Sequence, residues 1–437
     1  MLKLSIQQCF AELRARPLDA LVCVCVFAVG ALGVAVKDVT SSTLALLFLI
    51  SLYHVGSWKR DWKTLAANER YMLIGLLLFA LSGFLSWFNN VDHVEYVKQM
   101  GRYLRFASAV PVYLYLRGRS LDLSGWLLAG VAVSGFVYLG FALHSYFINP
   151  DIPAASGYHH ITFGDATMMN AGVIAAMLVS MRFSSWVRYL LVASMVCALY
   201  AAVLSEARGA WIAMPVYLVM LGVYAVRVGG IKQWVVALAL FAIVAALSPT
   251  TDVMVKRYQE ARQDISEFVS GKQYDTSIGG RLAMWDVAFD VWRQNPLLGT
   301  GLGDYDNDLV RYQQAGRYTT IDVHGSVHNI YIQTLSTTGL VGFVASLLAI
   351  ILLPLRLLMS APGWSHPLAL AGIVLVVSYA LFGLSESWIL RAPVVSLYMV
   401  YMVILATPLG RFKTGEYRVF FSRSPDVRRI DKGAVNI

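Results

Sequence analysis

Charged residues are scarce in this sequence. Only 14% of its 437 residues are Asp, Glu, Lys or Arg, whereas soluble globular domains carry about 25%. Hydrophobic residues make up 58% of the chain. Because a soluble domain cannot bury so large an apolar fraction, lipid must be the solvent for much of the protein. The composition therefore predicts an all-α, polytopic membrane protein with spans of about 20 residues each.

Cysteine is also scarce, with four residues in the chain. Cys9 precedes the first apolar run, and Cys23, Cys25 and Cys197 lie within apolar runs. No loop therefore carries the grouped cysteines of a disulfide framework or of a closed zinc site. This excludes cysteine chemistry as the main source of stability.

Motifs for nucleotides and metals are lacking as well. The run Gly299–Gly303 resembles a dinucleotide fingerprint, but it lacks a preceding strand and the third spaced glycine, and no G-K-[ST] motif is present. His324 and His328 lie four residues apart without an H-E-x-x-H signature. We therefore interpret Gly299–Gly303 as a turn and expect neither a metal nor any other cofactor.

Long apolar windows are what the sequence has in abundance, and they predict about 12 transmembrane helices. An even number of spans places both termini on the same side of the membrane. The predicted spans lie near residues 18–36, 40–57, 71–88, 104–116, 122–146, 164–181, 189–205, 209–226, 233–249, 329–353, 367–385 and 392–408.

The basic residues indicate the orientation of these spans. If both termini are cytoplasmic, every short loop on that side contains Lys or Arg, as the positive-inside rule requires. This explains the net charge of +9 by topology, so we expect no nucleic-acid partner. No small-residue cleavage site follows the N-terminal leader, so we expect an uncleaved first span. The basic tail Gly410–Ile437 is expected to contact anionic membrane lipids.

The expected organisation places nine spans within residues 1–249, a periplasmic loop subdomain over 250–328, three spans within 329–408 and a basic cytoplasmic tail over 409–437. An Asn-Pro pair and the glycine turn end an amphipathic helix in the loop. Large apolar residues repeat along this helix at helical spacing, at Leu282, Trp285, Phe289 and Trp292.

Three candidate functional residues lie at the outer membrane boundary. Arg208 follows a span with only Glu206 as a local counter-charge, and such a guanidinium needs a partner or a role. Arg281 begins the amphipathic helix. The alternative to a functional role is that its side chain is simply exposed to solvent. His328 stands where the loop re-enters the membrane, and the positive end of a helix keeps a histidine neutral and able to accept a proton. Helix capping is the alternative role for His328.

Two further candidate sites lie near span ends, a pair of histidines and a glutamate. His159 and His160 are adjacent near the sixth span, so we expect their side chains to diverge, with one lining a cavity and the other capping the helix. Glu386 lies at the outer end of the eleventh span, where it either pairs with Arg391 or orients a catalytic group.

Four motifs, in this order and spacing, resemble the O-antigen ligase and polymerase superfamily. The resemblance covers residues 200–345 by motif and the whole chain by topology. Within the superfamily, the twelve-span layout with one dominant outer loop is most similar to O-antigen ligase. The motifs are Arg208-Gly209, Gly280-Arg281-Leu282-Ala283-Met284-Trp285, Pro296-Leu297-Leu298-Gly299-Thr300-Gly301-Leu302-Gly303 and His328-Asn329-Ile330-Tyr331.

The resemblance implies a bacterial inner-membrane enzyme that joins undecaprenyl-diphosphate-linked polysaccharide to lipid A–core at the periplasmic face. The family's two arginines and loop histidine fall on Arg208, Arg281 and His328. The arginines would clamp the diphosphate. His328 would be the general base for the acceptor hydroxyl in a direct, inverting displacement without metal or nucleotide. The candidate supporting residues are His160, His324, Tyr331 and Glu386.

The motifs leave the acceptor open. A polymerase that extends the glycan, or a protein O-oligosaccharyltransferase, is the alternative within the superfamily. A transporter or flippase for a lipid-linked glycan is the alternative from another class, and twelve spans suit it. A transporter, however, normally places its functional charges near the middle of the bilayer on broken helices, whereas these candidates gather at one face.

Overall fold

The structure, a computed structural model, describes residues 17–118, 123–149, 152–229, 251–271, 273–323, 325–360 and 366–411. In these residues all regular structure is helical and no strand occurs. The α-helices are α1 (Pro17–Leu32), α2 (Val39–Tyr53), α3 (Trp58–Thr64), α4 (Ala67–Leu85), α5 (His93–Arg117), α6 (Leu123–Ile148), α7 (His160–Ser180), α8 (Ser185–Leu204), α9 (Arg208–Trp211), α10 (Ala213–Tyr224), α11 (Thr251–Val269), α12 (Gly279–Gln294), α13 (Tyr305–Gln314), α14 (Ile330–Ser346), α15 (Leu353–Leu358), α16 (Pro367–Phe382) and α17 (Ala392–Arg411).

Several of these helices are long and apolar enough to cross a membrane. Among the described residues there are seven such segments, or eight if the bent pair α2 and Val55–Thr64 forms one span. The prediction of an all-helical membrane protein is confirmed, whereas the number twelve stays a prediction. Predicted span 233–249 lies outside the described residues, and 104–116 falls within the charged helix α5. The seven are Ala67–Asn89, Leu123–Ile148, His160–Ser180, Ser185–Leu204, Arg208–Arg227, Ile330–Leu358 and Ala392–Gly410.

Helices α7 and α17 form the inside of the bundle. Within their most apolar windows 83% and 89% of residues are buried, against half or less in the other five segments. A buried hydrogen bond joins them, since the Tyr401 hydroxyl donates to Asn170 Oδ1 at 2.9 Å. Their outer ends are therefore held in place by protein on all sides. His160 begins α7, and Arg391 directly precedes α17.

Helix α14 is broken at Gly339, whose φ of 63° and ψ of −165° lie outside the helical region. Beyond the break, the N–H groups of Leu340 and Val341 donate to the carbonyl oxygens of Pro296 and Leu297, at 2.9 and 3.2 Å. An unsatisfied backbone group in lipid costs several kcal/mol, so a helix can break there only when another segment supplies partners. Residues that follow α12 supply these acceptors.

The glycine-rich segment 299–303 supplies the partners on the other side of the break. The N–H groups of Thr300 and Gly301 each donate, at 3.0 Å, to the carbonyl oxygens of Ser336 and Thr337. The three glycines of the segment have φ values of 69°, 122° and 93°, a region that glycine adopts most readily. The segment is thus the turn predicted, and it attaches the residues between α12 and α13 to α14.

Helices α12 and α13, together with residues up to Val327, share a small hydrophobic core of their own. Helix α12 confirms the predicted helix, but the predicted stripe of large residues does not form this core. Phe289, for example, is 37% exposed. Smaller side chains pack inward because α12 lies close to its neighbours, and the bulky aromatic rings remain at the periphery. The core consists of Ala283, Met284, Val287, Ala288, Val291, Tyr305, Leu309, Ile321 and Val327.

Candidate functional site

His328 lies in the turn that leads into α14. The cap of this helix is Asn329, whose Oδ1 accepts from the N–H groups of Tyr331 and Ile332, both at 3.0 Å. Capping is therefore the role of Asn329 and not of His328. His328 has a φ of 51°, an uncommon left-handed conformation for a side chain of this size. Its side chain is 19% exposed and so remains reachable from outside.

Hydrogen bonds from two elements hold this turn. The indole N–H of Trp285 donates to the Val327 carbonyl oxygen at 2.8 Å. The Asn329 N–H donates to Ser387 Oγ at 3.1 Å, and the Asn329 side-chain amide donates to the Leu384 carbonyl oxygen at 3.1 Å. Helix α12 and the segment 383–391 therefore set the position of His328 together.

Glu386 is the buried partner of His328. Its side chain is only 1% exposed, and its Oε2 lies 3.5 Å from His328 Nδ1 and 3.5 Å from Arg391 Nη2. Burial raises the pKa of Glu386, but the interactions with His328 and with the charge of Arg391, both 3.5 Å away, prevail and lower it. The carboxylate is therefore ionised at neutral pH. It pairs with Arg391, which is one of the two predicted roles, and it also faces the histidine.

Arg281 lies in the first turn of α12, one turn before Trp285. Burial lowers the pKa of its guanidinium, Arg208 lowers it further by repulsion, and Glu386 opposes this by attraction. These interactions place the three charges at one site. Within the described residues no ion pair involves Arg281, which has guanidinium donors to offer to an anion.

Arg208 begins the short helix α9 and is exposed. In the described part of the chain it forms no salt bridge, so the predicted pairing with Glu206 is not observed. Glu206 is exposed too, with a φ of 52°. Gly209 lies against Ser385, where any larger side chain would collide with the serine hydroxyl. This close approach brings the Arg208-Gly209 motif next to Glu386.

The two adjacent histidines do not diverge as predicted. The ring centroids of His159 and His160 are only 4.3 Å apart, because His160 Nδ1 bonds to the Ser205 carbonyl oxygen at 2.9 Å. His159 caps α7, as predicted for one of the pair, by accepting from the Ile161 N–H. Burial lowers the pKa of His159, and the charges of His160 and Arg391 lower it further.

The remaining sequence candidates divide into one structural residue and one that lies outside the described residues. The Tyr331 hydroxyl donates to the Ala380 carbonyl oxygen at 2.7 Å and so joins α14 to α16. His324 lies outside the described residues. Among the residues that are described, no group of three His, Cys, Asp or Glu side chains is arranged to hold a metal ion.

The structure adds charged residues that the motifs did not indicate. Asp165 lies in the second turn of α7, only 6% exposed. On α5, Arg102 interacts electrostatically with Arg105 and with Arg391. A signal was present in the sequence, since charges within apolar spans are costly and mark functional sites. The proximity of Asp165 to Glu386 and of Arg102 to Arg391 could not be predicted from the sequence, because it depends on how α5, α7 and α17 pack.

Chemically, the site combines a proton acceptor with a surplus of positive charge. An imidazole whose Nδ1 faces a carboxylate can accept a proton at Nε2, because the carboxylate stabilises the imidazolium that forms. Guanidiniums without carboxylate partners can bind an anion through paired hydrogen bonds. The arrangement suits the transfer of a group from a negatively charged leaving group to a hydroxyl.

Comparison with known proteins agrees with this arrangement. The O-antigen ligase family matches residues 193–347, which contain Arg208, Arg281 and His328. An uncharacterized protein of Haemophilus influenzae is 29% identical over 208 residues, which cover 45% of this chain and 51% of the relative. The chain thus spans about half the length of this curated relative. Residues 193–347 of the chain are thus similar to the O-antigen ligase family, whose members are glycosyltransferase-like enzymes.

Proposed function

We propose that the protein is an O-antigen ligase that transfers a polysaccharide from undecaprenyl diphosphate to a sugar hydroxyl of lipid A–core. It acts at the periplasmic face of the bacterial inner membrane, with both termini cytoplasmic. The observation that carries this proposal is the distance of 3.5 Å between Glu386 Oε2 and His328 Nδ1, with Glu386 also attracting the Arg281 guanidinium electrostatically. The family match supports the substrate class, a lipid-linked glycan.

In this proposal Arg208 and Arg281 bind the diphosphate of the donor. Among the described residues neither guanidinium forms a salt bridge with a carboxylate, although Glu386 attracts that of Arg281 electrostatically. As the bond between the anomeric carbon and the diphosphate oxygen breaks, negative charge develops on that oxygen. Fixed positive charge at this point stabilises the transition state more than the ground state. The leaving group is undecaprenyl diphosphate.

His328 acts as the general base for the acceptor. Since Nδ1 faces Glu386, Nε2 is the nitrogen that takes the proton of the attacking hydroxyl. The hydroxyl oxygen attacks the anomeric carbon while the electron pair of the breaking bond leaves with the diphosphate. Such a direct displacement inverts the anomeric configuration. Glu386 stabilises the imidazolium by charge, and the reaction needs neither metal nor nucleotide because the diphosphate is already a good leaving group.

The test uses the full chain in lipid vesicles, with an undecaprenyl-diphosphate-linked glycan and lipid A–core. We expect glycosylated lipid A–core, release of undecaprenyl diphosphate and an inverted linkage by NMR. Longer donor chains without lipid A–core product would instead indicate a polymerase, and glycosylated protein substrates an O-oligosaccharyltransferase. Movement of the donor across the bilayer without any new glycosidic bond would contradict the proposal in favour of a transporter.

A further inference from the structure

A small cavity lies beside Glu386, between the first turns of α7 and the segment 383–391. Its walls include Thr162 and Asp165 from α7 together with Tyr379, Glu386 and Trp388. The space suffices for about one water molecule. The cavity is in contact with the Glu386 carboxylate, which faces His328, so a group bound in the cavity would act on that carboxylate.

Three oxygen atoms of these walls lack hydrogen-bond partners. They are Thr162 Oγ1, Asp165 Oδ1 and Glu386 Oε2, and the residues are 4%, 6% and 1% exposed. A buried polar atom without a hydrogen bond destabilises the fold, because it has lost its bonds to water. Three of them around one cavity indicate a site that a hydrogen-bonding ligand completes.

His328 Nδ1 and Arg391 Nη2 lie 3.5 Å from Glu386 Oε2, too far for a strong hydrogen bond, and the other polar groups near the cavity are bonded elsewhere. The Tyr379 hydroxyl donates to the Val394 carbonyl oxygen at 3.1 Å, and the Trp388 indole N–H donates to the Tyr379 carbonyl oxygen at 3.0 Å. Tyr217 on α10, which also interacts electrostatically with Asp165, is bonded to Ser378. The guanidinium of Arg391 interacts electrostatically with Asp165, and this positive charge disfavours a metal cation at the same place. A single water molecule fits both the space and the partners.

We propose that the cavity binds one water molecule between Thr162, Asp165 and Glu386, and that Asp165 is thereby a positioning residue for Glu386 and His328. Two carboxyl groups that face one cavity share a proton, because both cannot be ionised at low cost. Asp165 carries this proton and donates through the water to Glu386 Oε2. The hydrogen bond holds the carboxylate in place and moderates the charge that it presents to His328. The inference rests on the proposed role of His328 as base.

The test is the pH dependence of kcat for glycan transfer by the full chain in vesicles. Asp165→Asn keeps the size and a donor, whereas Asp165→Leu keeps the size without any hydrogen bond. We expect Asp165→Asn to retain the wild-type profile. In Asp165→Leu, Glu386 presents more charge to the imidazolium, so the acidic limb moves up by about one pH unit. Its kcat falls by about tenfold while KM for the donor stays unchanged.

A matched pair on the same helix keeps the test decisive if Asp165→Leu does not fold. Thr162→Val removes one partner of the water, whereas Thr167→Val removes a hydroxyl that donates to the Phe163 carbonyl oxygen away from the cavity. We expect Thr162→Val to raise the acidic limb by a few tenths of a pH unit and Thr167→Val to leave it unchanged.

Two results would overturn the water site. One is an acidic limb that stays in place in Asp165→Leu and Thr162→Val. The other is a limb that moves equally in Asp165→Asn and Asp165→Leu, which would show that Asp165 is ionised. Failure of the proposed function has a different signature, since transfer would then persist in His328→Ala or the wild-type profile would have no acidic limb.

Discussion

At the scale of single residues, the site is governed by a carboxylate that stays ionised although it is buried. Glu386 is 1% exposed, and burial alone raises its pKa. The nearby His328 and Arg391 reverse that effect, so charge of both signs is concentrated at the start of α17. Buried ion pairs of this kind contribute little net stability but lose several kcal/mol when one partner is removed. Their presence indicates a role in function.

Glu386→Gln tests the role of this charge. We expect kcat for glycan transfer to fall by about 10²-fold, because the imidazolium loses its counter-ion, with KM for the donor nearly unchanged. The pKa of Glu386 is lowered from the ordinary 4.5, so the carboxylate stays ionised at higher pH and its contribution is lost only as pH falls through that lowered value. The ratio of wild-type kcat to Glu386→Gln kcat should therefore not change with pH over the range in which Glu386 stays ionised. Glu206→Gln, at an exposed position of the same face, is the control, and an equal loss there would contradict this role.

The guanidiniums of Arg208 and Arg281 give a second prediction at this scale. Arg208→Ala and Arg281→Ala should each lower kcat/KM for the donor by about 10²-fold or more, since each removes charge from the developing diphosphate. Arg208→Lys and Arg281→Lys should recover activity only in part, because an ammonium cannot donate paired hydrogen bonds. Arg293→Ala, an exposed arginine at the end of α12, serves as the control. Full activity of either alanine variant at the site would refute the clamp.

At the residue scale, the sequence motifs indicated individual positions, whereas the contacts between those positions depend on packing. His328 and Glu386 are 58 positions apart, and their contact arises because the Asn329 N–H and side chain bond to Ser387 and Leu384. Adjacency predicted that His159 and His160 diverge, but the bond of His160 to Ser205 overrides that tendency. Such bonds between distant segments are invisible in the sequence.

At the scale of elements, α12 connects the two parts of the site that we propose bind the anion and accept the proton. Its first turn carries Arg281, and Trp285 one turn later donates to the backbone beside His328. The motif that contains both residues is therefore a structural unit: the arginine requires the helix, and the tryptophan fixes where the helix sits relative to the histidine. Orientation of this kind can contribute several kcal/mol to catalysis.

Trp285→Phe tests this connection. The variant keeps an aromatic ring but loses the hydrogen bond to the Val327 carbonyl oxygen, so we expect kcat to fall by up to about tenfold. Trp292→Phe on the same helix is matched, since its indole N–H also donates to a backbone carbonyl, that of Pro296, at 3.1 Å. We expect Trp292→Phe to retain the wild-type kcat. Equal effects of the two changes would argue against a specific role for Trp285.

Gly339→Ala tests the broken helix. The position has a φ of 63°, and an added Cβ would collide with the backbone of Leu297, so both strain and a clash oppose the change. Gly316 has a φ of 82° with nothing within 4 Å of the added Cβ, and Gly316→Ala therefore measures strain alone. We expect Gly339→Ala to lower the thermal midpoint in detergent by several degrees more than Gly316→Ala. Equal shifts would show that the close approach is unimportant.

At the scale of the whole molecule, the site joins the outer loop to the ends of membrane helices. The site is formed by the starts of α7, α9, α12, α14 and α17. The sequence instead predicted separate units, with a loop subdomain over 250–328 between two groups of membrane spans. Composition sufficed for the helical membrane class, because lipid requires internally bonded backbones. The break at Gly339 and the buried Asp165 were not predicted. Both depend on partners from other segments, 296–301 and 383–391, which apolar windows do not reveal.

The measurement that tests the central claim most directly is the rate of glycan transfer by His328→Ala. The purified variant is compared in vesicles, at saturating undecaprenyl-diphosphate-linked donor and lipid A–core, with wild type and with His144→Ala, an exposed histidine on α6. The account predicts that His328→Ala lowers kcat by about 10²–10⁴-fold while KM for the donor changes little and His144→Ala is unaffected. A His328→Ala protein that transfers glycan at the wild-type rate would contradict the account.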